Sequence, residues 1–156
     1  MGRFLILFFS TFLFSNIKAQ NSFNKKEIDS LTSIFNIDSS FFLSNSRCDT
    51  SQERDAKTVM EHITCIKVFS SKQKSYLLKI EIQDLNNYFD IRETFFLYHG
   101  KVIKLYYKRL YQNTLSSDRI VYFKNDKEFL QFGKGQAILS EYIINRFYEN
   151  IGKNKY

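Results

Sequence analysis

Residues equipped for chemistry are few in this chain of 156 residues, and their spacing limits what they can do. Cys48, Cys65, His62 and His99 occur without any CxxC or HxxxH interval, whereas a structural zinc site draws about four such ligands from short spacings. No metal site is expected. There is no glycine-rich phosphate loop, GxSxG or HExxH, so no cofactor is indicated either. The densest polar group is Cys48-Asp49 with Glu53 and Asp55. Paired carboxylates work as acid and base where a pocket drives their pKa values apart, but in a Ser-rich stretch they are ordinarily solvated. Residue types without geometry assign no catalytic residue.

Charge is more informative. The formal net charge is +7, and residues 98–135 hold Lys101, Lys104, Lys108, Arg109, Arg119, Lys124, Lys127 and Lys134 against Asp118, Asp126 and Glu128. Strand alternation would direct Lys104, Tyr106 and Lys108 to one side, where two cations and an aromatic ring suit an anionic polymer or an acidic protein surface. The competing account is a solvated face whose lysines guard sheet edges against aggregation.

The compartment follows from the start of the chain. Gly2-Arg3 precedes an apolar run from Phe4 to Phe14, and Ile17-Lys18-Ala19 ends in a small residue before Gln20. That order describes a cleavable signal peptide over residues 1–19; an uncleaved anchor would need about 20 apolar residues. Cleavage near Ala19 removes Arg3 and Lys18 and leaves a mature charge of +5. The expected destination is the periplasm or the exterior, with no transmembrane segment in the mature chain. An oxidising compartment makes a Cys48–Cys65 disulfide the leading expectation, with separate or buried thiols as the alternative.

The elements that must position these residues change period near residue 60. Asn24-Lys25-Lys26-Glu27 has the form of a capping box, and Ile28, Leu31, Ile34 and Phe35 follow at helical spacing. Residues 36–57 lose the pattern in Ser, Asn and Asp and read as a loop. Beyond His62 the period is two. Facing Ser70 with Ser75 puts Phe69, Cys65, Ile63, Tyr76, Leu78, Ile80 and Ile82 on one face, interrupted only by Lys67. A second hairpin turns at His99-Gly100, and pairing Tyr98 with Lys101 joins Phe96 to Ile103, Leu105 and Tyr107. A third turns over Lys124–Lys127, and Gly133-Lys134-Gly135 ends it. Leu139, Tyr142, Ile143, Phe147 and Ile151 then mark a C-terminal helix. The fold class is α+β: an antiparallel β-meander of about five to six strands with a short N-terminal helix and a C-terminal amphipathic helix, both helices on one face. Residues 20–156 form a single domain, with helix and loop over 20–60, the meander over 61–132 and the C-terminal helix over 136–151.

The segments Glu93–Ile103 and Asp118–Lys127 resemble small exported bacterial proteins with paired aromatic-aromatic-x-Asn-Gly-Lys-aliphatic hairpins. That resemblance implies the meander and assigns no site. His99-Gly100 replaces the usual Asn-Gly, and Asn125-Asp126 lacks the glycine. The expected function is a non-catalytic binding protein of the cell envelope that engages a protein, polymer or amphiphile, in the manner of an inhibitor or immunity factor. A small extracytoplasmic hydrolase or nuclease is the alternative. The export signal disfavours nucleic acid as a partner, although cations interleaved with an aromatic ring are compatible with it.

Overall fold

Asn24 opens the first element. Its Oδ1 accepts from the Glu27 amide at 3.1 Å while Glu27 Oε2 accepts from the Asn24 amide at 2.8 Å, completing the capping box. The computed structural model describes residues 23–55 and 58–153, so the expected signal peptide lies outside the described residues. Helix α1 (Lys25–Ile37) leads into β1 (Phe42–Asp55), β2 (Thr58–Ser70), β3 (Leu77–Leu85), β4 (Phe89–Tyr98), β5 (Lys101–Tyr111), β6 (Thr114–Lys124) and β7 (Lys127–Gly135), and helix α2 (Ser140–Lys153) follows. The strands form one antiparallel sheet in sequential order. No helix among the described residues is long and apolar enough to cross a membrane.

The sheet has seven strands, not five or six. The additional strand is β1, which occupies most of the stretch that reads as a loop. Residues 42–52 are all exposed, so neither face of this edge strand required the apolar alternation that marks a strand in sequence. Pairing with β2 and the Cys48–Cys65 disulfide hold it in place. At the other edge, β7 runs on through Gly133-Lys134-Gly135 instead of ending there. A Cβ at Gly133 would lie 2.0 Å from the Asp118 carbonyl oxygen, and one at Gly135 2.2 Å from that of Ser116. Glycine is what permits β7 to approach β6 so closely.

The two helices lie on opposite faces of the sheet, which corrects the single-face expectation. Ile28 of α1 packs with Phe96, Ile103 and Tyr122, while Ile143, Ile144 and Phe147 of α2 pack with Phe95, Leu97, Val121 and Phe123. Phe95 and Phe96 are neighbours on β4, and successive strand residues point to opposite faces. Because the central strands are covered on both sides, their apolar residues run almost without alternation. Tyr148 fixes α2 to one end of the sheet: its hydroxyl donates to Asp126 Oδ1 at 2.7 Å and accepts from the Val102 amide at 3.2 Å, tying together the neighbouring β6–β7 and β4–β5 turns.

Two registers differ from the sequence reading. Phe69 faces Lys79 and not Tyr76, a displacement of three residues. An odd slip exchanges the faces of one strand, so Ile66 and Val68 enter the core beside Ile80 and Ile82, and Lys67 turns to solvent. Cys65 therefore sits on the face away from that core, half-buried, bonded to Cys48 with the two Cα atoms 4.1 Å apart. The reason is tertiary. Ser71 Oγ lies 3.0 Å from Ser40 Oγ and Lys74 pairs with Asp38, so the β2–β3 connection is anchored on the α1–β1 loop and extends over residues 71–76. In the next hairpin Tyr98 does face Lys101, but a bulge at Phe96/Leu97 inserts Ile103. Past it, Leu105 and Tyr107 join the α2 face, whereas Ile103 stays with Phe96 on the α1 face.

Candidate functional site

The bulge that inverts β5 also decides where its charges go. Lys104, Tyr106 and Lys108 face Phe96, Thr94 and Arg92 on β4, on the α1 side of the sheet. Lys104 is only 4% exposed, whereas Tyr106 and Lys108 are exposed. Lys104 Nζ donates to Asp29 Oδ1 at 2.6 Å and to Thr32 Oγ1 at 3.3 Å, both on α1, and lies 4.7 Å from the centre of the Tyr106 ring. Tyr122 Oη donates to the same Asp29 oxygen at 2.6 Å, and Lys25 Nζ donates to Oδ2 at 2.7 Å. Burial pulls the Asp29 carboxyl upward, but these donors outweigh it and hold the group at about 2. The Lys104 ammonium is thus paired with Asp29 inside the fold and is not presented beside Tyr106 and Lys108 to an external anion.

His62 and His99 are not brought together. His62 faces Ser51 on the outer hairpin, near the β3–β4 end of the sheet, and His99 sits in the β4–β5 turn at the other end. No group of three or more His, Cys, Asp or Glu residues suited to a metal ion occurs among the described residues. Cys48 and Asp49 lie on the exposed edge strand.

The arrangement with chemical capacity is on the α2 side. Between the sheet and α2 a cleft of about 630 Å³ is floored by β4, β5 and β6, walled by α2 and rimmed by residues 136–139. Phe89, Ile91, Tyr107 and Tyr111 form much of its floor, and Ile138, Leu139, Tyr142 and Ile143 close its side. Its rim is built deliberately. Ser117 Oγ donates to the Gln136 carbonyl at 2.9 Å, Arg119 reaches the carbonyls of Gly133, Gly135 and Gln136, and the Gln131 amide exchanges two hydrogen bonds with Ile138. Leu139 and Tyr142, which mark the helical stripe in sequence, are 80% and 66% exposed because they border this opening instead of entering the core.

Three charged residues line the cleft: Glu93, Arg109 and Arg146. Glu93 is 3% exposed and accepts from Arg146 Nη2 at 2.5 Å. Burial pushes its carboxyl up to about 7 against the pull of Arg146, with Asp84 adding to the rise. Burial likewise raises Tyr107. Arg109 lies over the Phe89 ring, 4.3 Å from its centre, and its Nε is buried with no hydrogen-bond partner. Glu93 and Arg146 escaped the sequence reading although both left a trace. Glu93 stands between Ile91 and Phe95 on one strand face, and Arg146 lies three residues after Ile143 on the apolar stripe of α2. A charge embedded in an apolar stripe is the signature of a buried pair. Comparison with protein-family models, curated proteins and solved structures finds no match to this chain, so the reading of this cleft rests on its own geometry.

Proposed function

We propose that the protein is an exported, non-catalytic binding protein of the cell envelope that takes an amphiphile into the cleft between its sheet and α2. One observation carries this reading: a largely apolar lining of aliphatic and aromatic side chains converges with a few charged groups in a space of about 630 Å³, within the roughly 300–1,000 Å³ typical of small-molecule sites. Export draws support from the charged, apolar and small-residue order of the first nineteen residues, and the disulfide is in keeping with an oxidising compartment. A titration with the neutral fluorescent probe N-phenyl-1-naphthylamine tests the cleft. Saturable binding is expected, and it should be lost in a Leu139→Asp/Tyr142→Asp variant, whose altered side chains lie at the rim and outside the core. Binding that ignores this double substitution would remove the cleft from consideration.

A second reading, a small extracytoplasmic hydrolase, draws on Glu93. A buried carboxyl displaced toward neutrality beside an arginine is a frequent mark of an acid–base site. Under this reading a Glu93→Gln variant loses turnover of ester or glycoside substrates while still binding the probe.

A further inference from the structure

Resting on the cleft reading above, we infer that Arg109 receives the head of the bound ligand, and that this ligand is a single-chain amphiphile ending in a carboxylate. Arg109 faces Ile91 on β4 and Ser117 on β6, which places it in the middle of the cleft floor. Its Nε is buried without a hydrogen-bond partner, the side chain forms no ion pair with a described acidic residue, and its ring contact is with Phe89. Arg146 pairs with Glu93 and lies 4.0 Å from Asp84, so Arg109 is the one charged residue of the cleft lining that forms no ion pair among the described residues.

An unsatisfied buried donor costs free energy that a bound acceptor recovers. The planar guanidinium fork matches the two oxygens of a carboxylate, which would seat the head against β5 while the chain runs toward the aliphatic and aromatic wall. The one lining cation that forms no ion pair matches a head that carries one negative charge. A doubly charged head would carry an unpaired charge into apolar surroundings, which is strongly disfavoured. The exposed Leu139 and Tyr142 supply the apolar surface that a protruding alkyl chain would cover.

The test holds the tail constant and changes the head. Dodecanoate, dodecan-1-ol and dodecylammonium are titrated at mildly alkaline pH against the full chain carrying N-phenyl-1-naphthylamine. Dodecanoate should displace the probe at least about tenfold more effectively than the alcohol, the worth of one charge-assisted hydrogen bond, and the ammonium compound should be weakest. Arg109→Gln should bring dodecanoate to the level of the alcohol and leave the alcohol unchanged, and Arg109→Lys should restore part of the difference. Equal displacement by all three heads overturns the assignment while the cleft reading stands. Displacement by none of them removes both. A parallel loss of dodecanoate and alcohol in Arg109→Gln would mean that the side chain only shapes the floor, and the wild-type comparison of heads decides the matter without any variant.

Discussion

Lys104 in the middle of β5 donates to Asp29 of α1 at 2.6 Å, and this contact ties the first folded helix to the centre of the sheet across a separation of 75 residues. The pair is asymmetric. Lys104 is almost fully buried with Asp29 as its only anionic partner among the described residues, whereas Asp29 also accepts from Lys25 and Tyr122. Removing one partner of a buried pair costs about 3–5 kcal/mol when the other charge is stranded. Asp29→Ala should approach the lower end of that range in urea denaturation, because Asp29 itself is partly exposed. Lys104→Met, which leaves Asp29 two donors, should cost clearly less. Equal losses would show that the ammonium reaches solvent.

Glu93 makes stability fall with rising pH in a defined window. Its carboxyl holds a proton up to about pH 7 in the folded state, against an ordinary value of 4.5, so the native state binds more protons than the unfolded state between those limits. The contribution is complete below 4.5 and lost as pH passes 7. Asp29, held at about 2, works in the opposite sense and loses its contribution only as pH falls from about 4 toward 2. In Glu93→Gln the decline of the thermal midpoint between pH 4.5 and 7 should flatten. A slope identical to wild type would assign that dependence to other groups.

The register of β2 against β3 predicts which apolar residues matter. Ile66 and Ile80 are buried and Ile63 is only partly so. Ile66→Ala and Ile80→Ala should each cost about 2–5 kcal/mol, while Lys67→Ala should stay within about 0.5 kcal/mol. If Ile63→Ala proved more costly than Ile66→Ala by denaturant titration, the pairing of Phe69 with Lys79 could not hold.

Reduction of Cys48–Cys65 should act on the edge of the sheet first. The bond closes a loop with a sequence separation of 17, worth about 3 kcal/mol in the chain-entropy account. The exposed β1 strand has little apolar burial to replace it. Reductant should lower the thermal midpoint and release two thiols, and amide exchange should accelerate in β1 before β4 and β5. Simultaneous loss of protection throughout the sheet would show that β1 is integral to the cooperative core.

What local chemistry dictates, the sequence alone determined: the capping box at Asn24, the turn at His99-Gly100, the antiparallel meander, the C-terminal helix and the one intramolecular disulfide that two cysteines allow, whose formation the structure supplied. Each depends on residues close in the chain or on a count that admits one partner. The tertiary structure decided what depends on contacts between distant segments. Ser40 and Asp38 set the length of the β2–β3 connection and through it the face of Ile66. One inserted residue, Ile103, inverted β5, so that Lys104 met Asp29 and Arg109 came to face α2. Alternation reports which residues share a face but is blind to a slip of one or three positions. A sheet covered by a helix on each side offers apolar partners to both parities, and only the packed helices choose between them.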